Sequence, residues 1–344
     1  MSPADSIADV EHLENLLSEP SDGLIAAMKR LPGDILILGA GGKMGPTLAR
    51  MARRAADAAG TPRRVIAVSR FSDSALPQTL RLWGIEVVGA DLLDERQLAG
   101  LPDAPNVVFM AGMKFGSTGR EALTWAMNTY LPAAVARRYR ASRIAVFSTG
   151  NVYGLCPVSR GGSVETDPPA PTGEYAMSCL GRERMFEYFS ECCGTPVSII
   201  RLNYACEMRY GVLVDLCTRV RDGRPVDLSM GFFNVIWQAD ASAMALQTLA
   251  CAASPPLVVN ITGPELLRTA EVCRQFGTLL GTQPVFTGRE APDAIISNAA
   301  RARELFGMPR VSAQQLMLWV ADWVRRGCPL LGKPTHFEVR NGRF

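Results

Sequence analysis

The chain has 344 residues, 48% of them hydrophobic and 20% charged, with a formal net charge of +3. That length suits one large α/β unit with a smaller appendage, and the composition is that of a globular protein. The small net charge argues against nucleic acid or a membrane surface as a partner, and no apolar run approaches the roughly 18 residues of a membrane span.

Residues 1–32 read as a helical extension. Val10, Leu13, Leu16 and Leu17 fall at helical spacing, Pro20 and Gly23 end the pattern, and a second short helix spans 24–28. The acids near the start, with no basic region leading into an apolar stretch, argue against a secretory signal. From residue 33 strands and helices alternate. Strands are predicted at 35–38, 65–68, 86–88, 107–110 and 144–147, with helices over 46–58, 74–83, 96–101 and 122–140 between them. A loop rich in Pro and Gly follows, then a helix over 175–192 and a strand at 197–200. This alternation predicts an α/β fold, a Rossmann-type doubly wound parallel sheet with helices on both faces. Beyond Arg201 the regularity fades, leaving one more strand at 258–261 and helices over 270–280 and 313–325. We therefore expect a dinucleotide-binding domain over 33–201, with 235–262 returning to it. A smaller C-terminal substrate domain is expected from 202–234 and 263–344.

Nine cysteines, an odd number without C-x-x-C spacing, predict reduced, buried thiols in a cytoplasmic protein and no structural metal. Cys192 and Cys193 are expected to be buried at a helix end. Of the basic residues, 32 are arginines and only four are lysines, two of which, Lys43 and Lys114, flank glycine motifs.

The first strand runs into Gly39-Ala40-Gly41-Gly42-Lys43-Met44-Gly45 and then a helix. Glycine allows the tight turn and leaves room for phosphates, while the helix N-terminus offers N–H groups and partial positive charge. Gly39, Gly42 and Gly45 make G-x-x-G-x-x-G, a dinucleotide cradle in the strand-turn-helix context it requires. The second strand ends at Ser69-Arg70, where an acid would accept the ribose 2′-hydroxyl of NAD. Serine followed by arginine suits a 2′-phosphate, so NADP is favoured, with NAD as the alternative. Asp91-Leu92 ends the third strand, with a carboxylate available to the adenine amino group. Ala111-Gly112-Met113-Lys114 ends the fourth, its small residues letting a cofactor lie close to the backbone.

Two later segments complete a pattern: Phe147-Ser148-Thr149-Gly150-Asn151-Val152-Tyr153-Gly154 and Glu174-Tyr175-Ala176-Met177-Ser178-Cys179. With these, the chain resembles the extended short-chain dehydrogenase/reductase family, the NAD-dependent epimerase/dehydratases, over about residues 35–263. The resemblance implies an oxidoreductase or epimerase acting by hydride transfer on a sugar or nucleotide-sugar hydroxyl or carbonyl. It implies that Tyr175 is the acid/base beside the cofactor, with Thr149 as its hydroxyl partner. Ala-Gly-Met-Lys is also similar to the Ala-Gly-x-Lys of UDP-galactose epimerases, which implies Lys114 near the cofactor phosphates. A homodimer through the helices over 122–140 and 175–192 is implied as well.

The family's Tyr-x-x-x-Lys ends here in Cys179. Tyrosine ordinarily titrates near 10, and a cation favours its phenolate where a thiol supplies no permanent charge. Lys114 is the preferred substitute, with Arg182 reaching back only in a favourable geometry. The alternative is a non-catalytic NADP-binding sensor or scaffold. Asn151, where dehydratases of the family carry an acid, disfavours 4,6-dehydration. Asn203 and His336 are weaker candidates, while Trp237 is expected to pack in the core and Asp240 to cap a helix.

Overall fold

The computed structural model describes residues 6–114 and 116–343; residues 1–5 of the predicted extension lie outside the described residues. Seven strands form the main sheet: β1 (Ile35–Leu38), β2 (Val65–Ser69), β3 (Glu86–Gly89), β4 (Asn106–Phe109), β5 (Arg143–Thr149), β6 (Val197–Leu202) and β7 (Leu257–Ile261). All pair in parallel, in the order β3-β2-β1-β4-β5-β6-β7. The strand expected near 258–261 takes the far edge, with Val258 opposite Ile199. Strand order reverses between β1 and β4, which opens a crevice at the carboxyl ends of the strands.

Alternate residues of β1 serve opposite faces. Ile35 and Ile37 join the core beneath α1 (Val10–Leu17), α2 (Asp22–Arg30) and α3 (Gly45–Ala58), whereas Leu36 and Leu38 join the other core. The α1–α2 extension buries Leu13, Leu17, Leu24 and Met28. Two short helices, α4 (Leu76–Leu82) and α5 (Glu95–Ala99), flank β3. The single helix expected over 122–140 is instead α6 (Glu121–Trp125), a π turn at Ala126–Tyr130 and α7 (Leu131–Arg138). Pro132 in the first turn of α7 has no N–H for the preceding ladder, and the wider turn directs Asn128 into the protein. Against α7 packs α8 (Gly173–Cys193).

After β6 come α9 (Val212–Arg221), not predicted, and α10 (Gln238–Gln247), where a helix beginning at Asp240 was expected without further bounds. Every residue of α10 is buried, so it shows no amphipathic period to read. Beyond β7, α11 (Thr269–Leu280) and α13 (Ala313–Arg325) pack on α9, with α12 (Ala300–Phe306) between them in sequence. Residues 331–342 form an irregular tail that returns to the crevice. The Leu331 N–H donates to the Arg209 carbonyl, and the Thr335 N–H and hydroxyl both donate to Asp215. Phe337 is buried against Phe233, and Gly342 lies backbone to backbone on Thr172 and Gly173, where α8 begins.

Candidate active site

The three motif glycines answer to different neighbours. A Cβ on Gly39, where φ is +94°, would stand 2.5 Å from the Ala111 nitrogen. One on Gly45 would stand 2.2 Å from the Ala40 carbonyl oxygen. The protein itself requires glycine at both: the first for the crossing of the β1 and β4 loops, the second for the seat of α3. At Gly42 the nearest atom is the Gly39 oxygen at 3.5 Å, ordinary contact. Gly42 lines a cavity of about 310 Å³, and α3 starts beside it with no side-chain cap. Bare backbone next to an uncapped helix start fits a dinucleotide diphosphate. Gly45→Ala is therefore expected to cost about 1–3 kcal/mol and lower the Tm. Gly42→Ala should keep the Tm and weaken dinucleotide binding; equal destabilisation by both in thermal melts would contradict this division.

At the end of β2, the Ser69 hydroxyl stands 2.6 Å from where a Gly41 Cβ would be. Arg70 and Asp91 face each other at 3.8 Å, both largely exposed, a weak pair that a phosphate can part. Leu92 was expected to touch the cofactor, but it packs in the core at 8% exposure, because the strand end turns its side chain inward. Ala111 is buried against Gly39. Gly112 makes room for Arg182, since a Cβ there would stand 2.3 Å from Nη2.

Met44, Gly112, Lys114, Thr149 and Tyr175 line the same cavity as Gly42 and Lys43. Thr149 ends β5, Tyr175 lies in the first turn of α8, and their hydroxyls are hydrogen-bonded. Thr149 Oγ1 also accepts from the Asn151 N–H at 3.2 Å and from Asn151 Nδ2 at 2.9 Å. A hydroxyl has two lone pairs and one proton, so with both lone pairs filled Thr149 must donate, to Tyr175 or to a bound oxygen. Asn151 thus sets the direction of the Thr149 proton.

Burial pushes the Tyr175 phenol above its ordinary value, and Cys179, hydrogen-bonded to it one turn along α8, adds to this. Arg182 and the Thr149 hydrogen bond oppose the rise. Cys179 is fully buried, and burial raises its thiol too, which leaves it neutral and unreactive. Beside Lys114, the cation whose charge bears on the Tyr175 phenol is that of Arg182. Its guanidinium is buried, with Nη1 on the Phe147 carbonyl at 2.6 Å and Nη2 on Asn128 Oδ1 at 2.8 Å. Lys114 Nζ stands 5.8 Å from the centre of the Tyr175 ring, and burial draws it down to about 8.

Three supports were not read from the sequence. Asn128 accepts from the Met113 N–H and Arg182 and donates to the Met113 carbonyl and Ser178, which uses its whole capacity. Glu183 takes the Ser148 hydroxyl and pairs with buried Arg201 at 2.8 Å, tying α8 to β5 and β6. The opposite wall comes from Tyr204, whose φ of +44° is rare for a bulky residue, and from Tyr210 and Thr335. Lys43 Nζ lies 3.3 Å from the centre of the Tyr210 ring. These wall residues belong to no periodic pattern, and no sequence signal marks them.

Among the weaker candidates, buried Asn203 lines the cavity, whereas half-buried His336 in the tail does not. Trp237 packs on Trp319 at 5.6 Å between ring centres. Asp240 does not cap α10; it accepts from Arg310 at 2.8 Å and from the Val311 N–H. Cys192 and Cys193 are exposed rather than buried, because the end of α8 faces solvent from Glu191 to Gly194, and Cys251 is exposed too. Among the described residues no group of three or more His, Cys, Asp or Glu is placed to hold a metal ion, and no helix is long and apolar enough to cross a membrane.

A family model described as the NAD dependent epimerase/dehydratase family matches residues 35–206. No curated protein sequence matches the chain. Among solved structures, MoeE5 in complex with UDP-glucuronic acid and NAD is 20% identical, with a TM-score of 0.68 over 86% of this chain and 100% of that one. UDP-glucuronic acid 4-epimerase from Bacillus cereus in complex with NAD is 16% identical, with a TM-score of 0.68 over 85% and 99%. The dTDP-glucose 4,6-dehydratase of Bacillus anthracis str. Ames in complex with NAD is 16% identical, with a TM-score of 0.71 over 86% and 97%. These likenesses show a shared fold.

Proposed function

The chain belongs to the NAD-dependent epimerase/dehydratase family, and we propose that it acts by hydride transfer on a hydroxyl or carbonyl of a nucleotide sugar. The observation that carries this reading is the hydrogen-bonded Tyr175–Thr149 pair, which opens on the cavity that Gly42 also lines. The UDP sugars and NAD bound by structural neighbours support it.

When bound, the nicotinamide dinucleotide supplies the hydride acceptor or donor. The turn of Gly39, Gly42, Lys43 and Gly45 would hold its diphosphate. Thr149 would donate to the substrate oxygen, and Tyr175 would exchange a proton with that same oxygen. Arg182, through its charge, would favour the phenolate form that takes the proton. Turnover of a nucleotide-sugar panel, followed by nicotinamide absorbance and by chromatography of epimeric products, tests the reading.

We propose NADP as the preferred dinucleotide, on the strength of Ser69 and the readily parted Arg70–Asp91 pair, with NAD as the alternative. Arg70→Ala should weaken NADPH binding about tenfold, the worth of one charge-assisted contact, and leave NADH nearly unchanged. Fluorescence titration of both reduced cofactors reads this, and a parallel loss for NADH would remove Arg70 from the 2′-phosphate site. Exposed Trp125, Tyr130 and Met177 on α6, the π turn and α8 support a homodimer through that face. Nine free thiols support a reducing, cytoplasmic setting.

One observation favours a second reading, a non-catalytic dinucleotide sensor: the buried neutral thiol of Cys179 stands beside Tyr175 where the family's lysine is expected. Tight NADPH binding with no turnover on any sugar would select it.

A further inference from the structure

Cys192 and Cys193 stand side by side in the last turn of α8, both exposed, with their sulfurs 3.4 Å apart and joined by a hydrogen bond. That bond, above all, pushes the Cys192 thiol up, so it rests protonated at neutral pH. The backbone beneath the pair is fixed. Ser190, fully buried, donates its hydroxyl to the Thr195 carbonyl at 2.7 Å. Its own carbonyl accepts from the Gly194 N–H and from the Ser254 hydroxyl, each at 2.8 Å. Thr195 in turn donates to the Arg140 carbonyl at 2.7 Å. Two exposed thiols thus share a rigid base, which lowers the entropy lost when both engage one partner. They are poorly placed for a disulfide. Consecutive Cα atoms lie about 3.8 Å apart, short of the roughly 4.4–6.8 Å that disulfides ordinarily span. Closing one would require unwinding the turn that Ser190 holds.

We propose that Cys192 and Cys193 form a dithiol site that captures a thiophilic centre able to bond both sulfurs, of the class of monosubstituted trivalent arsenicals. Geometry selects the class. Two bonds of about 2.3 Å, the length zinc makes to sulfur, span roughly 3.4 Å when they meet slightly wider than a right angle. Trivalent arsenic is pyramidal and bonds at such angles, whereas a linear two-coordinate centre needs its sulfurs a full two bond lengths apart. Among the described residues no group of three or more His, Cys, Asp or Glu is placed to hold a metal ion, so the pair offers two bonds and no third. The arsenical needs no third, because its organic substituent fills that position. In the capture step two As–S bonds form and the arsenic–oxygen bond of the arsine oxide breaks. Both thiol protons leave with that oxygen as water. Arsenic stays trivalent, so no oxidant or reductant is consumed.

Phenylarsine oxide is mixed with the unmodified protein and with Cys192→Ser, Cys193→Ser and Cys251→Ser, Cys251 being exposed and flanked by Ala250 and Ala252. Each sample is washed with excess 2-mercaptoethanol, a monothiol, and bound arsenic is read by mass spectrometry of the intact chain. The unmodified protein and Cys251→Ser should keep a single arsenical per chain and release it only to ethanedithiol. Loss of either Cys192 or Cys193 should weaken retention about 10²–10⁴-fold, the gain that a tethered second contact brings. Both side chains are exposed, so the Tm of these variants should stay at the original value. Retention by Cys192→Ser or Cys193→Ser as firm as that of the unmodified protein would assign the arsenical to other thiols and overturn the site. Its loss from the unmodified protein in the monothiol wash would overturn the site equally.

Discussion

Tyr175→Phe is expected to lower turnover by about 10²–10⁴-fold while leaving NADPH affinity and Tm close to their original values. The substitution deletes one oxygen. The ring keeps its place on the small cluster of Val152, Tyr153 and Cys179, so the packing of α8 against β5 survives. What disappears is the phenol bonded to Thr149 on this cavity, and with it the group proposed to give or take a proton at the substrate oxygen. Thr149 keeps its direction, because both bonds from Asn151 remain, so substrate binding should fall less than kcat. The measurement is a steady-state split of kcat from KM, beside a cofactor titration. Activity within threefold of the original would show that the proton is handled elsewhere and would return Tyr175 to a structural role.

The parts of this protein legible in its sequence are those in which one segment answers to one physical demand. Strands β1, β2 and β4 are covered on both faces and therefore read as continuous apolar runs. The glycine turn is readable because a Cβ at Gly39 or Gly45 would meet backbone at under 3 Å, so no other residue fits. Tyr175 and Thr149 were found through a pattern of spacing that recurs across a family.

Features assembled from distant segments were not readable. Arg182 is one of 32 arginines, and only the fold shows that its guanidinium reaches the Phe147 carbonyl and Asn128. Lys114 drew attention because lysines are rare here, which is a fact about composition rather than about contact. Leu92 was misread because a strand end fixes the backbone path and not which of two successive side chains turns inward. Thr335 and Lys333 sit in a tail without helix or strand, held by bonds to Asp215 and Arg209 that no local pattern announces.

Arg182→Met should both destabilise the fold and move the pH dependence of turnover. Methionine keeps much of the stem's volume but leaves the Phe147 carbonyl and Asn128 Oδ1 each without a charged donor, at about 1–3 kcal/mol apiece. The catalytic consequence follows from sign. Burial and Cys179 push the Tyr175 phenol up, and Arg182 pulls it down. Removing the cation lets the phenol rise further. Where the phenolate is the reacting form, the rate climbs with pH until the phenol has titrated, so the variant's rising limb should shift to higher pH. At neutral pH its rate should fall about tenfold for each unit of that shift. Arg182→Lys should recover part of the shift and less of the stability, since an ammonium cannot span both acceptors as the guanidinium fork does. The two losses are separable by experiment. A lower Tm with an unmoved pH profile would make Arg182 only a clamp between α8 and β5. If Lys114→Met then moved the profile instead, the cation acting on Tyr175 would be the one the sequence first suggested.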